Sequence, residues 1–129
     1  MMRQFKVVVP SFNSVDFIGK TLSSIESQIY KNYQVCVIDD GSTIKKQREI
    51  ILGFCKRNQW KFQFHEQNEG ALYGLVKAIK EFNCEDDDVI VVLDGDDWFA
   101  NANALQRIHQ EYAERELYMT WGQCERFPP

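Results

Sequence analysis

Val89-Ile90-Val91-Val92-Leu93 runs directly into Asp94-Gly95-Asp96-Asp97, and this stretch decides how the rest of the chain is read. The apolar run lacks the alternation of a half-solvated strand, so it predicts a strand covered on both faces, as in the middle of a parallel sheet. Behind it stand three carboxylates around one glycine. If the backbone stays extended as it leaves the strand, Asp94 and Asp96 point to the same side, and Gly95 between them lets a bulky anion approach the backbone. Carboxylate oxygens are hard ligands, suited to Mg²⁺ or Mn²⁺, and such an ion keeps positions open for phosphate oxygens. Asp94, Asp96 and Asp97 therefore read as a metal–diphosphate site. Short acidic turns are common for conformational reasons alone, but four charged or turn-forming positions at the end of the most hydrophobic run are an expensive place for an idle loop.

The same alternation of strand and polar tip recurs along the chain. Phe5-Lys6-Val7-Val8-Val9 is a β-branched run closed by Pro10 and followed by Ser11-Phe12-Asn13, and Tyr33 to Ile38 ends in Asp39-Asp40-Gly41-Ser42. Trp60, Phe62 and Phe64 alternate with Lys61, Gln63 and His65, the period-two pattern of a strand with one solvated face near a sheet edge. Helical periods lie between. Val15, Ile18, Leu22, Ile25 and Ile29 share one face behind a Ser14 cap; Ile44, Ile51, Leu52, Phe54 and Cys55 follow Ser42 or Thr43 less regularly. Leu72, Leu75, Val76, Ile79 and Phe82 form a stripe between Gly70 and Asn83-Cys84, and Leu105, Ile108 and Tyr112 follow Asn101 or Asn103. Leu117 to Trp121 is a last strand candidate. The order β-α-β-α-β-α-β-α-β predicts a Rossmann-like α/β fold with a mostly parallel sheet flanked by helices. In such a sheet the carboxyl ends of the strands share one edge, so all three polar clusters are expected around one pocket.

Composition bounds the alternatives. The chain has 129 residues, 15 Lys+Arg against 19 Asp+Glu for a net charge of −4, and 44% hydrophobic residues, which suits one compact domain. An acidic balance disfavours general binding to nucleic-acid phosphates. Cys36, Cys55, Cys84 and Cys124 form no Cys-x-x-Cys pair and no zinc spacing, so they read as reduced thiols of a cytoplasmic protein. No apolar run is long enough to span a membrane. No glycine-rich phosphate loop follows a strand, so a diphosphate would be held by metal and helix ends. Glu85-Asp86-Asp87-Asp88 precedes the apolar strand and belongs to the opposite sheet edge as a solvated loop. His65 and His109 lack a Ser or Cys partner and read as packing residues, while Trp98 either flanks the pocket or caps the core.

Taken together, Pro10-Ser11-Phe12-Asn13, Asp39-Asp40-Gly41-Ser42, Asn68-Glu69-Gly70 and Leu93-Asp94-Gly95-Asp96-Asp97 resemble, in order and spacing, the family-two glycosyltransferases of the GT-A fold. The resemblance covers residues 1–129 almost end to end and implies the nucleotide-sugar (donor) binding part of a transferase domain. It implies that Asp94 and Asp96, with Asp97 beside them, hold Mn²⁺ or Mg²⁺ on the donor diphosphate. Asp39 and Asp40 would contact the base, Asp40 foremost. Pro10, Phe12 and Asn13 would shape the base and ribose pocket, and Asn68, Gly70 and Gly95 would lie near the diphosphate. An ionised carboxylate accepts from uracil N3–H but not from cytosine N3, which favours a UDP-sugar. The chain departs from the family after Gly70, where Ala71-Leu72-Tyr73-Gly74-Leu75-Val76-Lys77 lacks the usual Arg-Asn pair and leaves Lys77 as the nearby cation. The implied reaction is metal-assisted, inverting transfer of a sugar to the hydroxyl of a glycan, lipid or protein. The family's general base would lie beyond Pro129. The competing reading is a nucleotide-sugar-binding module without turnover; a nucleotidyltransferase would need a basic glycine-rich loop that Pro10-Ser11-Phe12-Asn13 is not. Oligomerisation and peripheral contact with a membrane are compatible with either.

Overall fold

A computed structural model describes residues 3–123. Four strands, β1 (Phe5–Ser11), β2 (Tyr33–Asp40), β3 (Lys61–His65) and β4 (Val89–Val92), alternate with four helices, α1 (Ile18–Glu26), α2 (Lys45–Asn58), α3 (Ala71–Phe82) and α4 (Ala104–Glu114). All strand pairs are parallel and the order is β3-β2-β1-β4. Consecutive strands joined through helices force this parallel arrangement.

The pleat sorts β1 into two faces. Phe5, Val7 and Val9 join Ile18, Leu22, Ile25, Ile51 and Leu105 in the larger core, under α1, α2 and α4. Val8 joins Cys36, Ile38, Ala78 and Phe82 under α3. Lys6, on that second face, is buried, and its ammonium lies 3.4 Å from the Asp88 carboxylate. The Glu85–Asp88 loop is thus exposed except for its last side chain, which is spent on Lys6. Pro10 sits near the end of β1, past the Val8↔Val92 register of the β1–β4 pair, and its carbonyl accepts from Gly95 N–H at 2.8 Å.

Several expectations are corrected. The run at Val89–Leu93 is not in the middle of the sheet of described residues; β4 lies at one end, paired only with β1, and Val92 is 52% exposed. β1 and β2 are the inner strands instead, and β1 is buried along nearly its whole length. In β3 Gln63 and His65 are buried while Phe62 is exposed, and of the apolar side only Phe64 packs partly against the core. Helix α3 turns Gly74, Ala78 and Phe82 inward and leaves Leu72 and Val76 outside, because a Cβ at Gly74 would come within 3.0 Å of Ile38. Small residues let the helix approach the sheet, and the bulky stripe has no room there. Helix α1 starts at Ile18 with no side-chain cap from Ser14, whose carbonyl takes the first N–H bonds from Phe17 and Ile18, and Ile29 lies beyond its end, exposed. Neither Ser42 nor Thr43 caps α2. Leu117–Trp121 is not a strand: it pairs with none of the described strands, and Tyr118, Met119 and Trp121 are exposed.

Cys36, Cys55 and Cys84 carry free thiols, and Cys124 lies outside the described residues. Burial pushes the Cys36 thiol up to about 12 and Cys55 to about 11, so both behave as core residues and not as nucleophiles. No described helix is long and apolar enough to cross a membrane.

Candidate functional site

The loops that leave the four strands at their carboxyl ends form one continuous rim. Gly95 fastens the first junction. A Cβ there would stand 2.6 Å from Ser11 Cβ and 3.1 Å from Ser14 Oγ, and the Gly95 carbonyl accepts from Thr21 Oγ1 at 3.0 Å. Its missing side chain faces β1 and α1, so the glycine serves the close approach of two protein segments, where the sequence alone pointed to an approaching anion. The loop after β1 is clamped to the loop after β2: Asn13, at φ 48°, receives Thr43 N–H on Oδ1 at 3.0 Å and donates its own N–H to Ser42 Oγ at 2.8 Å. Gly41, at φ +80°, lies where a Cβ would be 2.7 Å from the Asn68 nitrogen, and brings the third loop in.

The two aspartates at the end of β2 point to opposite faces, as the strand period requires, and they have different partners. Asp39 is fully buried beneath α2. Its Oδ2 accepts from Arg48 Nε at 2.6 Å and its Oδ1 from Gln47 Nε2 at 3.0 Å, so its carboxylate faces α2 and does not join the acidic tip. Gln47, itself buried, also donates to Ser11 Oγ at 3.1 Å and accepts from Ser14 N–H at 2.6 Å. One amide thereby ties the ends of β1 and β2 to α2. Arg48 continues the support by donating to the His65 carbonyl and covering the Phe64 ring, with its guanidinium carbon 4.9 Å from the centroid.

Asp40 faces the other way and closes the rim toward α3. Its Oδ1 accepts from Glu69 N–H at 2.8 Å and lies 2.8 Å from His65 Nδ1; its Oδ2 accepts from Gly70 N–H at 3.0 Å. Burial alone would raise the Asp40 pKa, but the donors from Glu69, His65 and Gly70 outweigh it and hold the carboxyl below the usual aspartate range. Asn68 Oδ1 shares the Gly70 N–H at 3.2 Å. Gly70 adopts φ +91°, a left-handed value that lets the loop turn into α3.

Beyond β4, Asp94, Asp96 and Asp97 are exposed, and each offers a carboxylate oxygen such that all three lie within 4.8 Å of one another. Partial desolvation, then the Asp97 and Asp96 charges, push Asp94 above the ordinary aspartate range. Three crowded, exposed carboxylates suit a hard divalent cation. Phe12, 49% exposed, stands on the loop after β1, and Trp98 lies under Lys20, whose Nζ is 4.3 Å from the ring centroid.

Of the residues singled out in the sequence, Pro10, Asn13, Asp40, Asn68, Gly70 and Gly95 lie on the rim joined by these contacts, Phe12 is exposed on its first loop, and Asp94, Asp96 and Asp97 form the acidic tip. Asp39 is the outlier. Gln47, Arg48 and His65 were not marked as parts of the site. Gln47 and Arg48 look like ordinary helix residues, and only the neighbouring irregularity of the α2 apolar pattern hinted that this helix buries polar groups.

This parallel α/β sheet, with its polar loops gathered at the carboxyl edge, matches the fold of GT-A glycosyltransferase structures. The model of the family described as "Glycosyl transferase family 2" matches residues 6–128, and the chain belongs to that family. It is 31% identical over 93 residues to an uncharacterised glycosyltransferase of Rickettsia bellii, covering 72% of this chain and 13% of that protein. It is 30% identical over 125 residues to an uncharacterised glycosyltransferase of Haemophilus influenzae, covering 94% of this chain and 47% of the relative. The crystal structure of S. aureus TarS 1–349 in complex with UDP superposes with a TM-score of 0.74 at 25% identity, over 88% of this chain and 33% of that one. The chain spans less than half the length of each of these proteins.

Proposed function

We propose that residues 1–129 form the donor-binding part of a glycosyltransferase that transfers a sugar from a UDP-sugar to an acceptor hydroxyl of a glycan, lipid or protein. The observation that carries this reading is the trio Asp94, Asp96 and Asp97, with oxygens within 4.8 Å of one another at the tip of a strand in a family 2 fold. The UDP in the TarS complex supports the choice of nucleotide. Asp94, Asp96 and Asp97 would hold Mn²⁺ or Mg²⁺, which when bound neutralises charge on the departing diphosphate as a Lewis acid.

The chain's own residues supply the rest of the donor site. A carboxylate has about four acceptor positions; Asp40 uses three of them within the protein, and the fourth, on Oδ2, takes the uracil N3–H. Phe12 offers an exposed ring for the base, and Pro10 and Asn13 fix the loop that carries it. Asn68 and Gly70 border the diphosphate at the start of α3, where a helix N-terminus favours negative charge. Gly95 keeps the acidic tip seated on β1. Direct displacement at the anomeric carbon would invert its configuration.

Calorimetric titration tests this reading. UDP should bind at least tenfold more tightly with Mn²⁺ present, and Asp96→Ala should remove that coupling, since one carboxylate fewer leaves the cation short of a ligand. UDP affinity indifferent to Mn²⁺ would count decisively against the site. Donor hydrolysis by the same chain then separates a transferase from a nucleotide-sugar-binding module without turnover.

A further inference from the structure

We propose that His65 is a positioning residue for base recognition, setting the selectivity of the pocket through Asp40; this rests on the reading of Asp40 as the base contact. His65 ends β3 and is buried, with both ring nitrogens turned to protein side chains, so it bears on a ligand through Asp40 and not directly. Its Nδ1 lies 2.8 Å from Asp40 Oδ1, and an ionised carboxylate only accepts, so Nδ1–H donates. The far side of the ring meets Gln63: Nε2 lies 2.9 Å from Oε1, an oxygen that only accepts, so this contact is a hydrogen bond when Nε2 also carries a proton, and Gln63 is itself buried, its Nε2 donating to the Gly74 carbonyl at 3.4 Å. Tyr73 packs edge-on against the ring at 5.5 Å between centroids. The imidazole therefore has little freedom to rotate.

The consequence falls on the acceptor count of Asp40. With Oδ1 saturated by His65 and Glu69 N–H, and one position of Oδ2 filled by Gly70 N–H, a single acceptor position remains for a ligand. A fixed acceptor with one free position accepts an N–H such as that of uracil N3 and repels the bare N3 of cytosine. Without the His65 donor the carboxylate can rotate about its Cβ–Cγ bond between the two backbone N–H groups, and Oδ1 regains an open position. The pocket would then bind either pyrimidine through water or an alternative rotamer.

The experiment is a competition titration of UDP against CDP, with Mn²⁺ present, on the 129-residue chain and its variants, each first shown to be folded by thermal unfolding. The wild type should prefer UDP by about tenfold or more, since one hydrogen bond to a charged acceptor is made with uracil and lost with cytosine. His65→Phe keeps the ring volume and removes the donor, and should bring the two affinities to within about threefold of each other. His65→Asn places an amide N–H near the Nδ1 position and should restore most of the preference. A purely structural histidine would weaken both nucleotides alike and leave the ratio intact; a preserved ratio in His65→Phe overturns the inference. If that variant does not fold, Gln63→Met, which releases the outer side of the ring, should still lower the ratio, and an unchanged ratio overturns it equally. A wild type that binds UDP and CDP alike, or binds neither, removes the base contact by Asp40 itself and the inference with it.

Discussion

Asp39→Ala is expected to destabilise the fold by about 3 kcal/mol, at the lower end of the roughly 3–5 kcal/mol lost when one partner of a buried ion pair is removed. The carboxylate is fully buried, and its loss leaves Arg48 Nε and Gln47 Nε2 without their acceptor. Arg48 keeps 31% of its side chain in solvent and can rehydrate in part, which is why the lower figure applies. Gln47 cannot, being fully buried, and its other bonds to Ser11 and Ser14 would shift with it. Asp39→Asn should cost less, since one carbonyl oxygen still accepts. Urea unfolding followed by tryptophan fluorescence checks both; a loss under about 1 kcal/mol for the alanine variant, the worth of an ordinary hydrogen bond, would show that this pair does not hold β2 to α2.

Gly95→Ala is expected to affect stability and cation binding together. The added methyl would stand 2.6 Å from Ser11 Cβ, between carbon atoms that cannot approach so closely, with Ser14 Oγ and Ile18 Cδ1 at 3.1 and 3.2 Å behind it. Overpacking of this kind costs about 1–3 kcal/mol. The only relief is to lift the tip away from β1, which breaks the Gly95 N–H bond to the Pro10 carbonyl and the Thr21 bond to the Gly95 carbonyl. Asp94 and Asp96 flank the displaced residue, so Mn²⁺ affinity should fall at least tenfold even in molecules that remain folded. Equilibrium unfolding and a Mn²⁺ titration on the same sample separate the two effects. Wild-type values in both would mean that Ser11 and Ser14 yield freely and that the tip is not seated by this contact.

These two glycine and aspartate positions also show how far the residues alone carry the argument. The parallel α/β order was legible because strands and helices alternate with distinct periods, and the polar tips after β1, β2 and β4 announced a common edge. The placement of β4 was not legible: an apolar run reports that a strand avoids water, not how many neighbours it has, and β1 and β2 are the strands with neighbours on both sides. In α3 the hydrophobic stripe through Leu72 and Val76 misled because close approach to Ile38 selects Gly74 and Ala78, residues that carry little hydrophobic signal. The acidic tip at Asp94, Asp96 and Asp97 could be read directly. Asp39 and Asp40 form one motif in the sequence, yet consecutive strand residues face opposite ways, and the period of two separates a carboxylate held by α2 from one held by the loop before α3. The supporting side chains Gln47, Arg48 and His65 remained hidden because their value depends on contacts 8 to 36 residues distant in sequence.

Paramagnetic broadening locates the cation most directly. In an amide correlation spectrum of the chain with UDP and substoichiometric Mn²⁺, signals of residues 94–97 and of the adjoining loop 11–13 should vanish first, while those of residues 85–88 at the opposite edge of the sheet persist. Broadening centred on residues 85–88, or spread evenly over all acidic positions, would contradict a single cation-and-nucleotide site at the tip of β4.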